Sequence, residues 1–230
     1  MKRVIITRPE PGASQTAARL SAMGFDPILA SVLSITHLKV CPPNRWAATV
    51  LTSQNAVPSC PPSMHGRPVF AVGTATATAA AKAGFSRVFN ADGDATALAR
   101  LIETTASPAD GTLVLPTAQG QGGELARSLR QRGFRVLRRV AYRVAPVAML
   151  PASATSSLRD RQVTAVMFFS GETVRHFVGL LQAAGLTDAI RDVEAVSISE
   201  PAAVALRHLP WRRIHVAATP NQDAMLALLQ

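Results

Sequence analysis

Short β-rich runs alternate with amphipathic, alanine-rich helical stretches along nearly all of the 230-residue chain, and this alternation restricts the possible fold more than any other feature. "RVIIT" (3–7), "DPILA" (26–30), "AATVLT" (47–52), "VFAV" (69–72), "RVFN" (87–90) and "TLVLP" (112–116) have the length and composition of buried strands. "GASQTAARLSAMG" (12–24) predicts a helix ending at a C-cap glycine. Helices are also expected at 74–83, 95–105 and 123–132, the first and last stopping at Gly84 and Gly133. After an extended stretch, "RVLRRVAYRVAP" (135–146), the pattern resumes with strand 165–170, helix to Gly185, strand 194–199, helix 201–208, strand 213–218 and helix 221–229. Such a succession predicts an α/β fold of parallel sheets flanked by helices. Right-handed crossovers then bring every strand-to-helix turn to one edge of its sheet, the edge where open α/β sheets bind ligands.

Two stretches break the alternation. "SVLSITHLKVCPPN" (31–44) and "VAYRVAPVAMLPAS" (140–153) are extended, carry proline and have few helix signals, so they read as linkers. Two linkers imply that the chain passes between lobes twice. The expected first α/β lobe is discontinuous, 1–33 plus 150–230; the second spans 40–140, with linker strands 34–39 and 141–149. A loose internal repeat supports two similar lobes: "VLTSQNAV" (50–57) parallels "MFFSGETV" (167–174), and "VFAVGTATATA" (69–79) parallels "AVSISEPAAVA" (195–205). The plain alternative is that any two βα units look alike at this resolution.

Composition excludes several classes. The chain is 48% hydrophobic and 17% charged, as expected of a soluble globular protein. The apolar run in "MKRVIITRPEPG" is too short for a secretory signal, and no segment has the length of a membrane span, so the expected compartment is the cytoplasm. Cys41 and Cys60 lack metal-ligand spacing and the five histidines are scattered, so neither a metal site nor a disulfide is expected. The net charge of +10 is almost all arginine, since lysine occurs only at Lys2, Lys39 and Lys82. It reflects either genomic composition or an anionic ligand drawn in by a basic field. With 5% aromatics and no tract of like charge, nucleic acid is not expected as a partner.

No strong catalytic signature is present: there is no GxSxG elbow, Walker loop or helical carboxylate pair. "VFAVGTATATAAAKAGF" (69–85) has one glycine where a dinucleotide loop has three, and "QGQGGEL" (119–125) lacks a phosphate-binding lysine. What recurs is a hydroxyl in the first turn after a strand, at Thr7, Ser53, Thr74, Thr76, Ser170 and Ser199. Helix N-termini there offer unpaired N–H groups to carboxylates or phosphates. Ordinary N-capping by the same residue types is the alternative at each.

In order along the chain, "VIITRPEPGASQTAARLSAMGFDPILASVLSI", "LTSQNAV", "VFAVGTATATAAAKAGF", "VAYRVAP", "MFFSGETVRHFVGLL" and "SISEPAAVAL…IHVAATPNQDAMLALL" resemble the uroporphyrinogen-III synthase family. The resemblance implies two α/β lobes joined by a two-stranded linker. It also implies the cyclisation of hydroxymethylbilane to uroporphyrinogen III, with inversion of the last pyrrole ring and loss of water, in tetrapyrrole biosynthesis. No cofactor and no metal are implied. The implied partner is a linear tetrapyrrole bearing eight carboxylates; a monomer is expected, with transient contact to the preceding pathway enzyme. On this resemblance Tyr142 corresponds to the family's linker tyrosine, which assists departure of the substrate hydroxyl. Thr7 and Arg8 match its opening turn, and Ser53, Asn55, Thr74, Thr76, Ser170 and Ser199 fall among its substrate-binding positions. The chain departs from the family at Pro201, at Thr117–Ala118, and at the prolines from Pro58 to Pro62, which should break the helix after Ser53. These departures motivate an alternative, a non-catalytic two-lobed module for an anionic ligand. A nucleotide-dependent Rossmann enzyme would rest on fold analogy alone.

Overall fold

In a computed structural model, residues 1–229 are described; Gln230, the end of the expected first lobe, lies outside them. The strands are β1 (Arg3–Ile6), β2 (Asp26–Leu29), β3 (Leu33–His37), β4 (Ala48–Leu51), β5 (Val69–Ala71), β6 (Val88–Asn90), β7 (Thr112–Ala118), β8 (Arg135–Pro146), β9 (Val163–Phe168), β10 (Glu194–Ser197) and β11 (Arg213–Val216). The helices are α1 (Gly12–Ala22), α2 (Thr74–Lys82), α3 (Ala95–Thr105), α4 (Gly123–Gln131), α5 (Ala152–Arg159), α6 (Gly171–Ala183), α7 (Glu200–Ala203) and α8 (Gln222–Ala227). Met1–Ser34 and the chain from Ala145 onward form one unit, and Ile35–Val144 form another.

The first unit is a five-stranded parallel sheet in the order β11-β10-β9-β1-β2. Alternation along the strands divides the apolar residues between two faces. Ile5, Val166 and Phe168 pack against Ala154 and Leu158 of α5 and Val174, Phe177 and Leu181 of α6. Val4, Ile6 and Met167 pack against Leu20 of α1 and Met225 and Leu226 of α8. Phe168, Phe177 and Trp211 form an aromatic cluster, with two edge-on contacts at 5.3 and 5.8 Å between ring centroids.

The second unit has six strands in the order β3-β8-β7-β4-β5-β6, and its pairs from β8 to β6 are parallel. Leu51, Val69 and Val114 share one buried cluster with Ala80 of α2. Val50, Phe70, Leu113 and Leu115 share another with Leu98 and Ile102 of α3 and Leu125 and Leu129 of α4.

The two sheets hold equivalent strands in the same spatial order, β8-β7-β4-β5-β6 in one and β2-β1-β9-β10-β11 in the other. Chain order differs. In the first unit the β1-α1-β2 piece precedes the β9-α6-β10-α7-β11 piece; in the second, β4 to β6 precede β7-α4-β8. Each unit is therefore a circular permutation of the other. The internal repeat falls on equivalent strands, β4 with β9 and β5 with β10.

Three local features depart from the simple periodic reading. The expected helix 201–208 is α7, which tightens into a 3-10 turn at Val204–Leu206. Pro210 disfavours further helix by restricting the residue before it. After Ser53 the prolines permit only two 3-10 turns, Gln54–Ser59 and Pro62–Met64. α5 lies where half of the residues are Ser or Thr, which favour turns. Thr155 and Ser156 there donate their hydroxyls back to the Pro151 and Ala152 carbonyls, while Ala154 and Leu158 anchor the helix. Among the described residues no helix is long and apolar enough to cross a membrane.

Phe177 is fully buried at the centre of its aromatic cluster. Phe177→Ala is expected to destabilise the protein by about 3–5 kcal/mol, measured by urea unfolding followed through Trp211 fluorescence.

Candidate functional site

In each sheet one pair of neighbouring strands sends its outgoing connections in opposite directions. In the first unit β1 leads to β2 on one side and β9 to β10 on the other. In the second, β4 leads to β5 and β7 to β8. Diverging connections leave a crevice outside the carboxyl ends of that pair, where ligands bind in open α/β sheets. Thr7, Arg8, Phe169 and Ser170 occupy this position in the first unit; Ser53, Asn55 and the turn 119–122 occupy it in the second.

Thr7 is completely buried, and its hydroxyl donates to the Met167 carbonyl at 2.7 Å, extending the join between β1 and β9 past the regular ladder. The structure thus gives Thr7 a stitching role. Arg8 points elsewhere. Its guanidinium lies 4.5 Å from the centre of the Phe169 ring and donates to the Gln222 side chain at 3.4 Å. Its carbonyl accepts the Ser31 hydroxyl at 2.7 Å, which pins the backbone. Burial pushes the Arg8 guanidinium below its ordinary value, Glu10 acting the other way. Glu10 itself accepts both the amide and the hydroxyl of Ser14 at the start of α1. Among the described residues no carboxylate forms an ion pair with Arg8. A partly desolvated cation held over an aromatic face without a direct ion pair can accept an anionic group.

Gly12 makes this pose possible. A Cβ there would stand 2.3 Å from Arg8 Nε. Ser170 caps α6: its hydroxyl accepts the Thr173 amide at 3.2 Å, and the Thr173 hydroxyl accepts the Ser170 amide in return. Ser199 precedes the four-residue α7 and makes no capping bond with its side chain.

In the second unit Ser53 accepts the Asn55 amide at 3.2 Å, beginning the first 3-10 turn. Thr74 donates to Asp92 at 3.0 Å and accepts from Asn90 at 3.1 Å, so its hydroxyl belongs to a surface network beside β6. Thr76 is nearly buried two residues later. Gly73, the N-cap of α2, is extended, and a Cβ there would meet nothing within 4 Å. With no side chain at the cap, the first amides of this nine-residue helix stay uncapped beside Thr76. The turn 119–122 does require glycine. Gly122 has φ 78°, and its Cβ would press to 2.5 Å from the Thr117 methyl.

Tyr142 is buried on β8 in register with Ala118, the last residue of β7, and its carbonyl accepts the Gln119 amide. Its neighbours include His37, 6.4 Å away between ring centroids. Ser59 sits 3.4 Å from His37 Nδ1 and donates its hydroxyl to the Ala141 carbonyl. Among the described residues the Tyr142 phenol has no hydrogen-bond partner. His37, Ser59, Phe169 and Gln222 are the neighbours that reasoning from sequence missed. Only Phe169, adjacent to Ser170, carried a local signal. Among the described residues no group of three or more His, Cys, Asp and Glu is placed to hold a metal ion.

A family model described as uroporphyrinogen-III synthase HemD matches residues 14–227. No curated protein matches the sequence. Among solved structures, the chain is similar to uroporphyrinogen-III synthetase from Helicobacter pylori, at 17% identity and a TM-score of 0.65, covering 100% of this chain and 98% of that one. It is also matched to a mutant uroporphyrinogen III synthase from Thermus thermophilus, at 19% identity and a TM-score of 0.49, covering 100% and 97%. The first of these similarities supports the fold.

The Arg8 pose has a direct readout. Guanidinium protons over the Phe169 ring are expected to resonate upfield of ordinary arginine signals. Gly12→Ala, which should otherwise favour helix by about 1 kcal/mol, is expected to abolish that shift by displacing Arg8, as checked by NMR of the side-chain Nε–H.

Proposed function

The chain belongs to the uroporphyrinogen-III synthase family, and on that premise we propose that it closes hydroxymethylbilane into uroporphyrinogen III as a cyclising hydro-lyase. The observation that carries this reading is the family match itself, which spans residues of both units. The chemistry at the two carboxyl edges accords with it. The reaction needs one C–O bond broken and a ring held in the right pose; it does not need a protein nucleophile.

Departure of the terminal hydroxyl, protonated to water, leaves an electrophilic azafulvene. The substituted carbon of the last pyrrole attacks it, forming a C–C bond and a spiro centre. That centre fragments at its other C–C bond and recloses at the alternative carbon, which inverts the ring; loss of a pyrrole proton restores aromaticity. Water is the net loss. Spontaneous closure without inversion competes, so the protein's main contribution is orientation. Tyr142 supplies the hydrogen bond or proton to the leaving oxygen, a role suited to a phenol without another partner.

In the first unit Arg8 takes a substrate carboxylate through charge-assisted hydrogen bonds. In the second, the uncapped amides of α2 with Thr76 take another. Ser199 and Asn55 have side chains available for further contacts. Thr7, Ser53, Thr74 and Ser170 shape the turns that carry these groups, through the bonds their hydroxyls already make.

Purified protein supplied with freshly generated hydroxymethylbilane is expected to yield the type III isomer, resolved chromatographically after oxidation to porphyrin. Product of type I alone would overturn the proposal, and retained substrate binding without turnover would favour the non-catalytic module. Tyr142→Phe is expected to lower kcat by about tenfold to a hundredfold with little change in KM. Arg8→Gln is expected to raise KM by about tenfold.

A further inference from the structure

At the amino edge of the second sheet, arginines stand at the entrances of four strands. Arg45 precedes β4 together with Trp46, Arg67 precedes β5, Arg87 precedes β6, and Arg135 opens β8. All four are exposed. Among the described residues none uses its guanidinium in an ion pair or hydrogen bond; Arg67 lies over the Trp46 ring at 5.4 Å. Two cavities open between them. One, of about 530 Å³, is lined by Arg45, Trp46, Arg67, Arg135 and Asp110. The other, of about 390 Å³, shares Arg67 and Asp110 and adds Arg87 and the stacked Phe70–Phe89 pair. Asp110, the acidic group in both, already accepts the Ser107 amide at 2.8 Å within a capping box.

The first unit supplies an internal comparison, because its sheet presents the same edge. There two of the arginines near the strand entrances find counter-charges, whereas Arg212 and Arg213 at the entrance of β11 make no ion pair or side-chain hydrogen bond among the described residues. Arg3 pairs with Asp26 at 2.9 Å and Arg161 with Asp192 at 3.1 Å, while His215 lies 3.2 Å from Glu194. The second unit leaves its arginines uncompensated around a concave surface of ligand size. Like charges gathered without partners raise the free energy of the empty site, and an anion bridging them lowers it. Guanidinium forks suit the paired oxygens of phosphate and carboxylate.

We propose that this edge is a second binding site, taking a compact polyanion with at least two phosphate or carboxylate groups, centred on Arg45, Arg67 and Arg135. It is separate from the residues proposed for catalysis. Arg135 and Tyr142 are seven positions apart on β8, roughly 20 Å along an extended strand. The proposal stands whether or not the chain cyclises hydroxymethylbilane.

Pyrophosphate and citrate are the probes, titrated calorimetrically into the full chain at about 0.15 M salt to suppress diffuse attraction. At least one is expected to bind at one site per chain. Arg67→Gln and Arg135→Gln should each weaken it by about tenfold, with type III isomer formation unchanged. Arg127→Gln, an exposed arginine on α4, should leave affinity as it was. Binding of pyrophosphate alone supports a phosphorylated ligand, and binding of both supports the shared oxyanion chemistry. Absence of binding, or equal weakening by Arg127→Gln, would overturn the proposal. So would an acidic peptide that binds through these arginines when neither small anion does.

Discussion

The right-handed crossover between parallel strands is the constraint from which the rest of the molecule follows. A parallel strand cannot return to its neighbour without crossing over the sheet, and the crossover has one hand. All outgoing turns therefore gather at the carboxyl edge, and all incoming ones at the amino edge. Arg8, Ser53, Gly73, Ser170 and Ser199 share an edge type for this reason, although they are scattered over almost two hundred positions. The unpaired arginines at 45, 67, 87 and 135 share the opposite edge for the same reason.

Circular permutation adds a second consequence. Each unit contains a two-strand piece and a three-strand piece, and the chain leaves a unit only after the two-strand piece, beyond β2 or along the end of β8. Both departures start from carboxyl ends of strands. The connections between units thus begin at the same edge that carries the diverging turns, in each unit considered by itself. Tyr142 sits where the two features meet: it is in register with the end of β7 and lies two residues before the unit boundary. A residue there senses the ladder on one side and the departing chain on the other.

The fold was legible in the sequence because it is written in periodicity. Strand runs with β-branched residues, glycine stops at Gly24, Gly84, Gly133 and Gly185, and the prolines after Ser53 each have a local mechanism. α5 was less legible because burial of Ala154 and Leu158 outweighs the turn preference of its serines. The candidate site was legible only in part. A hydroxyl after a strand signals a turn, but sequence does not say whether its hydrogen bond goes to the backbone or remains free. Thr7, Ser53 and Ser170 are engaged, and each looked the same as Thr76 in one dimension. Arg8 drew attention only as part of a Thr-Arg-Pro turn. Its pose depends on Phe169 and Gln222, which are more than a hundred positions away.

Magnitudes separate these groups. A hydroxyl that already donates, as Thr7 does to the Met167 carbonyl, must give up a bond with a net value of about 1 kcal/mol before it can serve a ligand. Ser53, which accepts at its cap, keeps its proton to donate. Arg8 is in the opposite position to Thr7. Folding has already removed part of its hydration and offered a ring face, an amide oxygen and the nearby charge of Glu10 in return, with no direct ion pair among the described residues. A carboxylate arriving there would meet a partly desolvated cation whose backbone is pinned by Ser31 and whose side chain lies where Gly12 leaves room. A hydrogen bond to a charged group contributes about 1.5–3 kcal/mol, more than Thr7 could supply after giving up its bond to Met167. A partly buried cation without a direct ion pair costs the empty protein stability, and it is tolerated because the surrounding sheet and helices fix its place. The same reasoning applies to the bare amides of α2, where Gly73 withholds the cap that a serine or aspartate would supply. On the proposed function, binding strength in this fold would reside in the groups that folding leaves incomplete.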